Sequence, residues 1–206
     1  MKINVITVSR QFGSGGRTVA RMIAQKLGWA YYDKEIIEQL ALKSGFDPDY
    51  IREHSEYSAS NRFAYSFVSP YVGSMSVNDY LWCEQRKLIL ELAEKGPCVI
   101  VGRCADHILK DHHDCLNLFI HAPLALRAKR VVELYGESET KPQKRVREKD
   151  KKRAANYLYY TDREWGKAEN YHLCLDSGAM GIERIVNTVV NMVQNPAPKE
   201  DFFYHL

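Results

Sequence analysis

Short apolar runs alternate along the chain with longer segments in which apolar residues recur at helical spacing. The short runs predict five strands, over residues 3–8, 29–32, 98–101, 116–120 and 173–175. The longer segments predict helices over residues 19–27, 33–44, 77–95, 124–135, 142–160 and 180–194. Strands that alternate with helices are joined by right-handed crossovers. The pattern therefore predicts an α/β fold of three layers, a mostly parallel five-stranded sheet with helices on both faces.

The length of the chain, 206 residues, favours one domain, which we expect to cover residues 1–195 and to be followed by a tail, 196–206. Residues 55–76 are rich in Ser, Tyr and Phe and lack a period, which predicts a long loop within a mobile acceptor-side segment at about 46–76. Two helical patterns meet around Gly136 and predict a helical lid over about 130–155 that folds over a site.

A glycine-rich segment, SRQFGSGGRT at residues 9–18, joins the first predicted strand to the first predicted helix. This setting is typical of a phosphate-binding loop, because glycines let successive N–H groups turn toward an anion at the positive end of the helix. The candidate phosphate-binding residues are Gly13, Ser14, Gly15, Gly16, Arg17 and Thr18. In this interpretation the Thr18 hydroxyl binds magnesium, and Arg17 brings a permanent positive charge to the phosphates.

The segment departs from the usual phosphate-loop pattern, G-x-x-x-x-G-K-[ST]. When Gly16, Arg17 and Thr18 are aligned with its last three positions, Gln11 stands at the first glycine and Arg17 at the lysine. A dinucleotide pattern, G-x-G-x-x-G, fails at its last glycine, where Thr18 stands. A surface turn without a ligand is the third interpretation. Beside the loop, Arg10 points either at the phosphates or into solvent.

Composition narrows the choice of partners and compartment. The 29 basic and 26 acidic residues are close to balance, which does not favour nucleic-acid binding. The basic residues between 127 and 153 form either a clamp for phosphate groups or a solvated helix face. The five cysteines, an odd number without a C-x-x-C pair, indicate reduced thiols in a cytoplasmic protein. We expect no leader and no membrane contact, because no apolar stretch approaches the ~20 residues that span a bilayer.

Polar residues follow several of the predicted strands: the glycine loop, Asp33, Arg103 and His121. Ligands of a parallel sheet bind at the carboxyl ends of its strands, so we expect these residues to surround one site. Phosphoryl transfer depends on positioning and on positive groups around the migrating phosphoryl, which Arg17, Arg103 and the basic cluster would supply. Asp33 would hold magnesium through water or accept a hydrogen bond from the acceptor.

The sequence resembles the nucleoside monophosphate kinases, and within them the cytidylate kinase-like family, over nearly the whole chain. Besides the loop, five elements match that family: YYD at 31–33, VIVGR at 99–103, RAKR at 127–130, DKKR at 150–153 and LDS at 175–177. The family has an aspartate after its Gly-Arg element, where this chain has Cys104.

The resemblance implies a fold of the P-loop NTPase type, with ATP and Mg²⁺ as cofactors and small-molecule nucleotides as partners. The glycine loop would hold the phosphates of ATP. The acceptor would be bound by Asp33, Arg103, Asp150 and Arg153. The positive groups that stabilise the transferred phosphoryl would be Arg17, Arg103, Arg130, Arg147 and Arg153. The expected reaction is ATP- and Mg-dependent phosphoryl transfer to CMP or dCMP.

Other interpretations stay open beside this one. The chain could phosphorylate a different small acceptor, or could bind a nucleotide or phosphate as a sensor or partner without turnover. The segment DHHDC at 111–115 is either a metal cluster or a polar turn. The aromatic residues of 156–160, with Trp165, either stack on a base or pack between the lid and the body.

Overall fold

A parallel sheet forms the centre of the structure, a computed structural model that describes residues 2–51, 71–72, 75–112, 114–136 and 140–196. In chain order the strands are β1 (Val5–Arg10), β2 (Ala30–Tyr32), β3 (Tyr71–Val72), β4 (Met75–Ser76), β5 (Cys98–Val101), β6 (Cys115–His121) and β7 (Leu173–Asp176). Five of them pair in the order β2-β5-β1-β6-β7, and every neighbouring pair in this sheet is parallel. Strands β3 and β4 form a separate antiparallel pair.

Helices connect the strands of the sheet and cover both of its faces. They are α1 (Gly16–Leu27), α2 (Lys34–Ser44), α3 (Val77–Glu94), α4 (Ala105–Ile108), α5 (Leu124–Glu133), α6 (Pro142–Thr161) and α7 (Ile182–Gln194). Left-handed glycines end two of them, Gly28 after α1 and Gly45 after α2. The side chain of Ser76 begins α3, because its hydroxyl oxygen accepts a hydrogen bond from the N–H of Asp79 at 3.2 Å.

The hydrophobic core consists of two layers, one on each face of the sheet. Successive strand residues point to opposite faces, so each strand contributes to both layers. Val5 and Ile100 pack with α2, α3 and α4 on one face. Ile6, Val8 and Val99 pack with α1 and α7 on the other face. The predicted three-layer α/β fold is confirmed, and the five strands of its sheet are all parallel.

The first strand lies two residues further along the chain than the apolar pattern predicts. It pairs with β6 as far as Arg10, which stands opposite Ile120, so Ser9 and Arg10 belong to the strand and not to the loop. Helix α1 begins at Gly16 and not at residue 19, because glycine and polar residues carry no apolar period. Because β1 ends at Arg10 and α1 begins at Gly16, the loop between them covers residues 11–15 and is shorter than predicted.

Parts of three predicted segments lie outside the described residues. In the segment predicted at 46–76, the described residues include the short pair β3 and β4, which the sequence did not predict, whereas 52–70 and 73–74 lie outside. In the predicted lid, α5 packs on α6, and residues 137–139 lie outside. Of the predicted tail, residues 197–206 lie outside. Motion of the lid stays a prediction. Among the helices of the described ranges, none has the length and apolar character to cross a membrane.

We predict that the protein loses stability at alkaline pH, because two thiols of the core are buried. Cys98 on β5 and Cys115 on β6 are 0% and 2% exposed. Burial, first of all, raises the pKa of Cys98 to about 11 and that of Cys115 to about 12, from an ordinary value of 9.0. Above the ordinary value the unfolded thiols release protons that the folded thiols keep, so the free energy of unfolding falls as the pH rises.

We therefore expect the urea midpoint of unfolding to fall between about pH 8 and about pH 10.5, as measured by circular dichroism. In the Cys115→Ala variant, the urea midpoint should fall less over the same pH range than it does in the wild type. A midpoint that is unchanged over this range, or a slope that the substitution leaves unchanged, would contradict this assignment.

Candidate functional site

The glycine loop between β1 and α1 turns on two residues with left-handed backbone. Gly13 has φ +77° and Gly15, which precedes α1, has φ +82°. Ser14 between them is fully buried, and its N–H donates to the carbonyl of Gln11 at 3.2 Å. The loop therefore leads directly into the first turn of α1, whose N–H groups have no acceptor within the helix. This arrangement can bind the oxygens of a phosphate.

An ion pair between Asp150 and Arg127 binds the backbone of the loop at Phe12. Asp150 on α6 accepts a hydrogen bond from the N–H of Phe12 at 2.7 Å through one oxygen, and its other oxygen pairs with the Arg127 guanidinium. Arg127 on α5 also donates to the carbonyl of Phe12 at 3.2 Å and to that of Ala122 at 2.9 Å. Both side chains are largely buried. In the described structure Asp150 thus contacts the loop, and its contact with an acceptor stays a prediction.

Arg130 holds the middle of the loop. Its guanidinium donates to the carbonyl of Ser14 at 3.0 Å and to the hydroxyl of Ser177 at 2.8 Å. The Ser177 hydroxyl in turn donates to the same Ser14 carbonyl. The RAKR and LDS elements of the sequence therefore meet behind the loop. A role of Arg130 at the transferred phosphoryl stays a prediction.

Arg17 pairs with Asp33 at the end of β2. The Nε and Nη2 atoms of Arg17 lie 2.9 and 3.3 Å from the two carboxylate oxygens of Asp33. The Arg17 side chain is 48% exposed, whereas Asp33 is buried. The structure thus brings together two residues that the sequence assigned to the donor and to the acceptor, and each neutralises the other's charge.

A polar pocket opens beside the loop at the carboxyl ends of β1 and β5. Its walls include Ser9, Arg10, Arg103, Arg153, Tyr157 and Trp165. The turn after β5 has left-handed backbone at three successive residues, with φ +69°, +60° and +53° at Gly102, Arg103 and Cys104. Non-glycine residues rarely adopt this conformation, and such residues cluster at functional sites. The Arg103 and Arg153 predictions therefore fall on one pocket.

A buried carboxylate supports this pocket, and the sequence did not single it out. Asp106 on α4 is 3% exposed and accepts hydrogen bonds from the hydroxyls of Tyr157 at 2.6 Å and Ser9 at 3.3 Å. Burial raises the pKa of the Asp106 carboxyl, and the Tyr157 hydrogen bond opposes this rise. Burial and the adjacent Asp106 raise the pKa of the Tyr157 hydroxyl. Through Asp106, these two hydrogen bonds connect Tyr157 on α6 with Ser9 near the end of β1. The only local signal was an acidic residue three positions after Arg103.

The remaining predicted residues lie at different distances from the pocket. Arg153 donates to the carbonyl of Arg10 at 3.2 Å, and its guanidinium lies 5.6 Å from the centre of the Phe12 ring. Thr18 is half-buried in the first turn of α1. Arg147 is exposed on α6 and is not among the residues that line the pocket. The solvent interpretation of Arg10 is wrong, because its side chain is 7% exposed.

The described contacts bear on two of the open interpretations, the aromatic residues of α6 with Trp165 and the segment 111–115. The aromatic residues of α6 pack against the body: the Tyr160 ring stacks on Trp82 at 4.2 Å, and Tyr157 bonds Asp106. Trp165 meets Phe119 edge to face at 5.3 Å. Within the described residues, no group of three or more His, Cys, Asp or Glu side chains could hold a metal ion. In the segment 111–115, residue 113 lies outside the described residues.

Comparison with known proteins places these features in a family. A profile of the cytidylate kinase-like family matches residues 5–179. A cytidylate kinase from Archaeoglobus fulgidus is 29% identical over 201 residues, which are 95% of this chain and 98% of that protein. A cytidylate kinase from Methanopyrus kandleri is 27% identical over 162 residues, 74% of each chain.

Solved structures show the same fold. An uncharacterized protein from Eubacterium ventriosum superposes with a TM-score of 0.70 at 24% identity, over 94% of this chain and 99% of that chain. A shikimate kinase from Acinetobacter baumannii, in complex with shikimate, superposes with a TM-score of 0.55 at 15% identity, over 95% and 96%. The family match, over residues 5–179, includes all five strands of the central sheet, the glycine loop and the pocket. The chain therefore belongs to the cytidylate kinase-like family and is a nucleoside monophosphate kinase-like phosphotransferase with the P-loop kinase fold.

Proposed function

We propose that the chain transfers the terminal phosphoryl group of ATP to CMP or dCMP. The observation that carries this proposal is the presence of three arginines, Arg10, Arg103 and Arg153, in the walls of one pocket beside the glycine loop. A phosphate monoester carries about −1.5 to −2 charges near pH 7, and guanidinium groups bind its oxygens in pairs. Arg103 and Arg153, which line this pocket beside Arg10, favour an acceptor that carries a phosphate over a neutral hydroxyl compound.

The residues at the loop fit ATP and Mg²⁺. The N-terminal turn of α1 supplies N–H donors for the donor phosphates. Magnesium in such sites keeps several waters and is held by one or two side chains together with the phosphates, so a cluster of three acidic groups is not required. The Thr18 hydroxyl, with Asp33 through water, would hold it. Bound magnesium would neutralise charge on the phosphates during transfer.

Within this proposal the charged residues have two kinds of role, binding the phosphates and positioning the loop. Arg103 and Arg153 bind the acceptor phosphate and the transferred group, since both line the pocket. Arg130 and Asp150 position the loop through Ser14 and Phe12, as their hydrogen bonds support. Direct roles for Arg17 and Arg147 at the transferred phosphoryl stay predictions. In the same way, a single domain at 1–195 with a lid at about 130–155 remains part of the proposal.

The proposal includes a reducing, cytoplasmic location. All five cysteines, at positions 83, 98, 104, 115 and 174, are thiols in the structure. Disulfides are rare in cytosolic proteins, in which thiols are kept reduced.

The test is a coupled assay of ADP formation with Mg·ATP and each of CMP, dCMP, UMP, AMP and GMP. We expect CMP or dCMP to give the highest kcat/KM and reactions without an acceptor to give little ADP. Shikimate and cytidine serve as hydroxyl acceptors that lack a phosphate. Turnover with these compounds alone would contradict a phosphate-bearing acceptor. Binding of ATP without turnover on any acceptor would favour the sensor interpretation, and no ATP binding would overturn the proposal.

A further inference from the structure

The Arg10 side chain crosses the start of α1. Arg10 is the last residue of β1, and Gly16 is the first residue of α1. A Cβ atom added to Gly16 would lie 2.5 Å from the Cβ of Arg10, closer than such atoms approach in proteins, and 3.1 Å from its Cγ, a tight contact. The absence of a side chain at Gly16 therefore leaves the space through which Arg10 extends.

The guanidinium group of Arg10 ends beside the turn after β5. A Cβ atom added to Gly102 would lie 2.2 Å from Nη1 and 3.1 Å from Cζ of Arg10. Arg10 also lines the pocket with Arg103, and its side chain is 7% exposed. Two glycines on different elements thus form a passage for this one side chain, from the end of β1 across the loop to the end of β5.

In one of two alignments, the position where a phosphate-loop lysine is expected has no side chain. In the usual pattern the lysine follows the last glycine of the loop directly. The alignment of Gly16, Arg17 and Thr18 with the last three positions puts Arg17 at the lysine. When Gly15, the left-handed residue that caps α1, is taken as the last glycine instead, the lysine position moves back by one residue to Gly16. The Cβ of a lysine at Gly16 would collide with the Cβ of Arg10, so the helix cannot supply a cation at this position while Arg10 crosses it from the strand.

The other candidate for the loop cation is engaged elsewhere. Arg17 faces Asp33 through two guanidinium nitrogens, at 2.9 and 3.3 Å, and nearly half of its side chain is exposed. Its charge is therefore shared with a carboxylate at the end of β2. Arg10 lines the pocket together with Arg103 and Arg153.

The geometry points to Arg10 as the cation of the phosphate loop, a role that in the usual pattern belongs to the lysine after the last glycine. This inference rests on the proposed function, because it assigns Arg10 to the β- and γ-phosphates of ATP. The planar guanidinium can bind one oxygen of each phosphate, or two oxygens of one, which a lysine cannot do. Arg17 then holds Asp33 on the acceptor side.

The experiment measures binding of ATP and of AMP by isothermal titration, with Arg10→Ala, Arg17→Ala and the surface control Arg184→Ala. AMP lacks the two outer phosphates, so a loss confined to ATP reports contact with them. We expect Arg10→Ala to weaken ATP binding about 30- to 100-fold and AMP binding less than about threefold. Arg17→Ala should weaken ATP binding less than Arg10→Ala, and Arg184, which is exposed on α7, should have no effect.

A second experiment moves the positive charge from position 10 to position 16. In the double variant Arg10→Gly with Gly16→Lys, position 10 has no Cβ to collide with the new side chain, so a lysine from the helix should enter the space that Arg10 leaves and recover most of the ATP affinity. Gly16→Lys alone should weaken ATP binding, because the two side chains collide. If Arg10→Ala does not fold, as judged by circular dichroism, Arg10→Gln removes the charge but keeps most of the side chain, and its losses of ATP and AMP affinity provide the same comparison.

The outcomes separate this inference from the proposed function. Wild-type protein that does not bind ATP overturns both. Wild-type binding with equal losses of ATP and AMP affinity in Arg10→Ala would show a merely structural role and overturn the inference alone. A larger ATP loss in Arg17→Ala than in Arg10→Ala would assign the loop cation to Arg17 and overturn it too. A double variant that folds but does not recover ATP affinity counts against the inference.

Discussion

Replacing Arg103 by alanine is expected to lower kcat for the preferred acceptor by a factor of about 100 to 1,000, the usual cost of removing one preorganised donor from developing charge. Arg103 lines the pocket at the turn after β5, where three successive residues have left-handed backbone. Its carbonyl, which accepts a hydrogen bond from the Gln85 side chain at 3.2 Å, is retained in the variant. The urea midpoint should therefore stay close to that of the wild type.

Two matched variants make this result interpretable. Arg103→Lys keeps the charge but loses the planar fork, and we expect it to recover only part of kcat. Arg86→Ala removes one charge from an exposed position on α3 and should leave kcat unchanged. A kcat for Arg103→Ala within about threefold of the wild type would remove Arg103 from the proposed site. A parallel fall in kcat and in the urea midpoint would indicate a structural role instead.

Replacing Arg127 by methionine is expected to lower the free energy of unfolding by about 3–5 kcal/mol, because it leaves the buried Asp150 carboxylate without its cation. The same change removes the hydrogen bonds from Arg127 to the carbonyls of Phe12 and Ala122. Both the glycine loop and the start of α5 lose support. Urea denaturation followed by circular dichroism measures the loss, and ATP binding should weaken because the loop loses its shape.

A surface pair on the same helix serves as the control. Lys129 lies 3.7 Å from Glu133 with both side chains more than half exposed, so Lys129→Met should cost less than about 1 kcal/mol. The double variant Arg127→Met with Asp150→Asn keeps an acceptor for the Phe12 N–H without a buried charge, and it should recover much of the stability. If Arg127→Met lowers the free energy of unfolding no more than Lys129→Met does, the result would be inconsistent with a buried ion pair. A KM for the acceptor that is higher in this double variant than in Arg127→Met would support the predicted acceptor contact of Asp150.

The elements of the fold could be predicted where the local pattern is strong. Apolar runs marked β1, β5 and β6 most clearly, because a strand buried on both faces needs an apolar side chain at nearly every position. The edge strands β2 and β7 are only partly buried and were marked by shorter runs. Their ends were less certain: Ser9 and Arg10 look like loop residues in the sequence but belong to β1, since β6 continues beside them as far as Ile120. A polar residue joins a strand when its neighbour supplies the hydrogen bonds, and no local signal reports the neighbour.

The grouping of several candidate residues at one edge of the sheet could also be predicted. The glycine loop and Arg103 both follow strands of a parallel sheet, and the ends of such strands meet at one edge whatever the loops do. Arg153 was placed through the family resemblance, and the structure puts it in the same pocket. What each side chain does there could not be read in this way. Asp106 had no recognisable motif, although its carboxylate supports the pocket wall through Ser9 and Tyr157.

By itself, the sequence determined the order of strands and helices, the phosphate-loop setting and the family, because these depend on residues that are neighbours along the chain. Only the tertiary structure decided which partner each charged group has. Asp150 meets Phe12 across 138 positions, and Arg130 meets Ser14 across 116. The direction of Arg10 was decided by two glycines that approach it from other elements, at positions 16 and 102. A long side chain has many rotamers, and the one it adopts is selected by the space and the charges that packing brings to it.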